Sequence, residues 1–348
     1  MTMLPLAPRV SLVGFALLGL AAMAAASAAE PPQSEKEDFT LSSLLPLAWQ
    51  KRPQVSFNAI TEMTAAGKAK RVPTSENPMY YVTAPSRFKQ LGWSVAAGEK
   101  PPPVEEIDAL MRKALAENGY LPTTDERPRP DVLIVFEFGS HGTDPVAILP
   151  EIPIPPPVGS SELVRLVVSD VSLFKDIIDR AVMVGGGKFA LELKAALDEE
   201  VRNLWTNKSL ERSGAIPMPV SPDFSSPFQI FIRGGNADLV AHLSEVVFNT
   251  CYFVVATAYD FEGVEKKEKI VLWQTRMTVE ARGVSMREVM KPLVQNTAYY
   301  LGRDMPEAAM VRKRIDREGT VTIGEAEVVK EPEIKAADAP ANDANGRE

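Results

Sequence analysis

Cysteine is almost absent from this sequence, with Cys251 the only one. A single thiol excludes an internal disulfide framework even in an oxidising compartment, so stability has to come from apolar burial. It also excludes a lipid anchor, because lipid attachment needs a cysteine directly after a cleaved leader. Histidine is nearly as scarce: His141 and His242 are the only two, which limits metal sites and nucleophile triads at the outset. Positive charge is in the minority, with 38 Lys and Arg against 46 Asp and Glu for a net charge of −8. Such a chain repels phosphate backbones, and nucleic acid is not an expected partner.

One long hydrophobic run is present, at the N-terminus. Residues 1–29 carry a cation at Arg9, an apolar stretch from Val10 to Met23 and a small-residue end at Ala26-Ser27-Ala28-Ala29. This is the order of a secretory signal peptide, with cleavage expected after Ala28 or Ala29. The alternative, a membrane anchor, fits less well because the second half of the run is mostly alanine, which partitions weakly into hydrocarbon. The mature protein is therefore expected to be exported to the periplasm or beyond, without a lipid anchor or transmembrane segment.

Proline, glycine and charge divide the rest. Residues 30–78 read as a linker and N-terminal extension, starting with a flexible stretch from Glu30 to Asp38 and including a possible strand from Val55 to Ile60. A single domain is expected over residues 79–308. Met79-Tyr80-Tyr81-Val82 is a short β-type run. Ile107, Leu110, Met111, Ala114 and Leu115 repeat at helical spacing, and Asn118-Gly119 closes that helix. Asp131 to Phe138 is apolar on both faces, as an interior strand is.

Residues 139–250 read as an insertion. It opens with a proline-rich arm from Pro145 to Pro157. Helical patterns follow at Phe174 to Val182, Leu193 to Trp205 and Leu239 to Val247. Cys251 to Tyr259 and Ile270 to Glu280 then read as a hairpin, the first strand interior, the second with one wet face or at an edge. Met286 to Val294 is a further helix, which Pro292 should kink. Residues 309–348 form a C-terminal extension, acidic and expected to be disordered from Glu331 onward. This element order predicts an α+β fold: a two-layer sandwich of a mixed, largely antiparallel sheet with helices on one face, plus the helical insertion.

Two passages carry a resemblance. Ala114-Leu115-Ala116-Glu117-Asn118-Gly119-Tyr120, leading to Pro130-Asp131-Val132-Leu133-Ile134-Val135, resembles a segment of an uncharacterised domain family common among bacterial envelope lipoproteins. Val271 to Arg276 and Tyr300 to Asp304 resemble that family's closing strand and helix. The chain as a whole is similar to uncharacterised secreted proteins of Verrucomicrobia-like bacteria, notably through Cys251-Tyr252-Phe253-Val254-Val255-Ala256. The resemblance implies an envelope domain and no activity. Membrane tethering is not implied, since the lipid-acceptor cysteine is lacking.

Chemistry is thinly spread. Gly139-Ser140-His141-Gly142-Thr143-Asp144 leaves a central strand and gathers a hydroxyl, an imidazole and a carboxylate, so Ser140, His141 and Asp144 are the first candidate ligand contacts. The competing reading is a glycine-rich loop that only turns the chain. Ser140 and His141 are adjacent and would point to opposite faces of a strand, which rules against a nucleophile pair. Asp260, Arg276 and Arg282, in or beside the hairpin, are candidates for partner or anion recognition, against ordinary exposure on a wet face. His242 and Glu245 share a helix face but fall short of a zinc site. Gly185-Gly186-Gly187-Lys188 resembles a phosphate loop but has Val182 and Phe189 where glycine and a hydroxyl are needed, and reads instead as a joint between helices.

No catalytic residue, metal or cofactor is assigned. The reading these features support is a non-enzymatic exported envelope protein that binds a partner or ligand through a sheet edge or the insertion. An exported hydrolase using His141 with Asp144 and a purely structural envelope component are the alternatives.

Overall fold

The computed structural model describes residues 31–35, 44–92, 100–127, 129–142, 167, 170–212, 231 and 237–317. The signal segment, Asp144, the proline-rich arm and the acidic tail lie outside these residues. The chain is α+β. Among the described residues are eight strands: β1 (Gln54–Met63), β2 (Met79–Thr83), β3 (Arg87–Gly92), β4 (Tyr120–Pro122), β5 (Val132–Gly142), β6 (Cys251–Asp260), β7 (Val271–Glu280) and β8 (Ala309–Arg314). Six helices accompany them: α1 (Ala65–Ala69), α2 (Val104–Glu117), α3 (Val171–Arg212), α4 (Ala237–Phe248), α5 (Phe261–Glu265) and α6 (Met286–Thr297). None of the described helices is long and apolar enough to cross a membrane.

All eight strands join one mixed sheet, seven in the order β4-β2-β5-β6-β7-β1-β8 and β3 paired to β5. Pairing is antiparallel from β5 through β8, whereas β2 and β3 lie end to end along the other side of β5, both parallel to it. β1 and β8 come from the two stretches expected to flank the domain, yet β1 sits between β7 and β8, and Phe57 of β1 is completely buried. The domain therefore extends beyond both bounds drawn from the sequence, because pairing between distant strands leaves no trace in local periodicity.

One face of the sheet carries Phe57, Ile134, Phe136, Phe138, Val254 and Met277, packed against the apolar sides of α2 and α6. Helix α2 buries Ile107, Met111, Ala114 and Leu115 and ends at Gly119 with φ +78°, as its spacing predicts. Helix α6 starts on a reciprocal capping box between Ser285 and Glu288 and runs through Pro292 as one element. The insertion's helices α3 and α4 pack on the opposite face, around Ile60, Ile177, Val184, Leu193, Leu243 and Cys251. The insertion thus forms a third layer. That layer is what β6 requires, since its residues Cys251 to Ala258 are buried without a break, with Tyr252, Val254, Ala256 and Ala258 in the first core and Cys251 in the second.

Two expectations about the hairpin change accordingly. Strands β6 and β7 do pair, with Val254 opposite Met277. But β7 is interior, flanked by β6 and β1, and its polar row is largely covered: Thr278 is buried, Gln274, Arg276 and Glu280 are half-buried, and Glu280 accepts from Asn249 at the end of the insertion. The polar stretch at residues 31–35 also differs from the flexible linker expected there: Glu35 donates its backbone N–H to Arg312 O of β8 at 2.9 Å.

Candidate functional site

The segment read as a site loop is strand. β5 runs through Ser140 and His141 to Gly142, held by β6 on one side and by β3 on the other, with Leu91 opposite His141. Glycines let β3 and β5 approach closely: a β-carbon on Gly139 of β5 would stand 1.7 Å from Lys89 O, and one on Gly92 of β3 2.1 Å from Gly142 O. Ser140 and His141 are 4% and 5% exposed, so His141 does not line an open surface. A partner strand on each side extends β5 past its last apolar residue, so the segment does not turn.

Alternation sends the His141 side chain toward the insertion, beside its cross-strand partner Cys251. His141 Nε2 stands 3.1 Å from Asp176 Oδ1 on α3, and its Nδ1 is buried without a protein hydrogen bond. Burial pushes the Asp176 carboxyl up, but the bond to His141 and the charge of Arg180 outweigh it and hold it below the usual range. One turn along α3, Arg180 is fully buried and donates to Val247 O at 2.6 Å, to His141 O at 3.1 Å and to Asn249 O. The guanidinium closes the C-terminal end of α4 while tying α3 to β5. Burial raises the pKa of the Cys251 thiol, which keeps it protonated and packed. This cluster joins layers. The carboxylate that His141 meets is Asp176, and the sequence offered only its four-residue spacing from Arg180 as a hint.

Arg276 anchors a second polar chain. It donates to Glu62 Oε2 at 2.5 Å and to Gln274 Oε1 at 2.6 Å, and Gln274 passes a bond to Thr257 at 2.9 Å. The other oxygen of Glu62 accepts from Gly187 N at 2.6 Å. Helix α3 is broken at Gly186, where φ is +82°, so Gly187 begins its second half and Glu62 supplies the acceptor this new N-terminus needs. The glycine-rich stretch that resembles a phosphate loop thus carries a carboxylate from β1, and the joint expected between helices is a kink fixed by it. Burial opposes ionisation of Glu62, but the bonds from Arg276 and Gly187 hold its pKa below the usual value.

The remaining candidates are dispersed. Asp260 caps α5 through Gly263 N and pairs with Lys70 at 2.7 Å. Arg282 pairs with Glu245 and Glu280, each at 2.5 Å. His242 is mostly buried in α4 and not on a solvated face, and burial lowers its pKa to about 4. Among the described residues no group of three or more His, Cys, Asp or Glu could hold a metal ion. Asp260 stands opposite Val132 at one end of the β5–β6 ladder, His141 opposite Cys251 at the other, and Arg276 opposite Val255 in between, so the three are not brought together.

A site of another kind lies at the far edge of the sheet. The backbone groups of β8 that face away from β1 belong to Met310, Arg312 and Arg314. The N-terminal arm reaches each of these three residues: Ser34 Oγ donates to Met310 O at 3.3 Å and accepts from Arg312 N at 3.1 Å, while Glu35 Oε2 accepts from Arg314 N at 3.3 Å. Glu35 N donates to Arg312 O, the single backbone bond of this contact among the described residues, and Lys313 Nζ lies 3.6 Å from Glu35 Oε1. A small polar cleft also opens between this arm and the helix ends, lined by Pro32, Asn118, Gln295, Asn296 and Tyr299. No protein-family model matches the chain, and no curated protein matches it.

Proposed function

We propose that this is an exported bacterial envelope protein that acts without catalysis and binds a partner polypeptide along the outer edge of β8. The observation that carries the reading is the arm contact. An edge strand offers a row of unpaired N–H and C=O groups that readily accepts another strand, and here the row is met by an arm that lies along it. The buried polar clusters around His141 and Arg276 support the same reading, since both are occupied in holding the insertion to the sheet. The leader at residues 1–29 supports export.

The test is a photo-crosslinking residue placed at Lys313 in the exported protein, compared with one at Leu121 on the opposite edge. Crosslinks to a partner from position 313 should disappear when Arg312→Pro removes the outward N–H. Equal capture from both edges, or capture that survives the proline, would sink the reading.

A further inference from the structure

Building on that reading, we infer that the N-terminal arm is a built-in stand-in for the partner, and that the partner presents an extended, acidic segment. In a completed antiparallel ladder the outward groups of Met310, Arg312 and Arg314 would meet backbone N–H and C=O groups. Among the described residues the arm makes four such bonds, three through side-chain oxygens, Ser34 Oγ twice and Glu35 Oε2 once, and one through backbone. Residues 31–35 thus lie on the edge mainly through side chains and are not themselves a strand. A segment that supplied the whole ladder would satisfy the same groups with its own backbone and leave its side chains free for further contacts.

The chemistry of that segment follows from what the edge selects. β8 ends in Arg312, Lys313 and Arg314, and the charged residue of the arm that lies against them is Glu35, which bonds Arg314 N and stands near the Lys313 ammonium. Pro31, Gln33, Ser34 and Glu35 are all exposed, so little apolar burial holds the arm down. An arm fixed by polar bonds at the surface is displaceable in a way a buried strand is not. The occupant argued for is an acidic stretch of a different polypeptide.

The experiment uses the mature full-length protein and a fluorescent peptide with the sequence of residues 30–38, read by anisotropy. Ser34→Ala with Glu35→Ala loosens the resident arm, and the double variant should bind the peptide roughly tenfold more tightly than the parent, as removal of two competing side-chain contacts allows. The same peptide with lysine in place of its glutamates should lose that binding. Arg312→Pro on the loosened background should abolish it, and Arg312→Glu serves the same end if the proline variant does not fold. Equal affinity for parent and loosened protein would overturn the inference, as would indifference to Arg312. Light scattering supplies a further outcome: a parent dimer that becomes monomeric when the arm is loosened would make the occupant a second copy's arm, and also overturns it. If the peptide fails while crosslinks from position 313 persist, edge binding stands and only arm mimicry falls.

Discussion

Arg276 and Glu62 lie on adjacent strands and form a 2.5 Å ion pair whose carboxylate also caps the second half of α3. Two of the three layers meet in that one side chain. Glu62→Ala should leave a largely buried guanidinium and the Gly187 N–H without their acceptor, at a cost of about 2 kcal/mol once the partial exposure of Glu62 is allowed for. Urea unfolding measures it. Glu62→Gln should recover part of the loss by keeping an oxygen for Gly187. The depressed carboxyl pKa gives a sign as well: this contribution is present above the ordinary Glu value and is lost as pH falls through the folded-state value.

Gly139→Ala should be among the most disruptive small substitutions in the chain. The added carbon would meet the carbonyl of Lys89, which is backbone and cannot rotate away. Overpacking of this kind costs about 1–3 kcal/mol or more. Hydrogen exchange should show the Arg87–Gly92 amides losing protection before the rest of the sheet. Uniform protection would show that β3 is not held by this contact.

Removing the guanidinium in Arg180→Met should destabilise the protein by about 3 kcal/mol or more, since several buried carbonyls lose their donor together. Arg180→Lys should rescue little, because one ammonium cannot span three acceptors set by a planar fork. Thermal melting of the two variants beside the parent decides this.

His242 predicts a pH dependence. Its pKa is about 4 in the folded protein against an ordinary 6.5, so the unfolded chain takes up a proton first as pH falls. Stability should be full above pH 6.5 and should decline between 6.5 and 4, by up to about 3 kcal/mol. In His242→Phe this part of the decline should vanish. An unchanged slope between pH 7 and pH 5 would show that His242 is solvated.

The mature N-terminus should be Ala29 or Glu30, where the small-residue pattern ends. N-terminal sequencing of exported protein checks this, and retention of Met1 on a membrane-bound product would contradict it.

The elements with strong internal periodicity were legible in the sequence. Helices α2 and α4 repeat apolar residues at helical spacing, and β5 and β6 are apolar on both faces, which announced a covered sheet. The short strands β3, β4 and β8 were not legible, because runs of three to six residues, few of them buried, carry no period of their own. The site failed for a related reason. Gly139 and Gly142 signal a turn when read locally, and only the approach of β3 turns them into spacers. Glu62 was invisible as the cap of α3 because nothing in the spacing of residues 62 and 187 brings them together.

The place of β1 in the sheet has a consequence for how the chain assembles. Phe57 must find Val279 on one side and Val311 on the other, so the strand made first is locked by strands made last. Contacts of such long sequence separation are slow to form, because the loop between them must close before they stabilise anything. A chain made from its N-terminus therefore holds β1 unfinished until its last strand is available. In this topology the delay is written into the strand order: until residue 311 emerges, β1 has one neighbour missing and the sheet cannot shut.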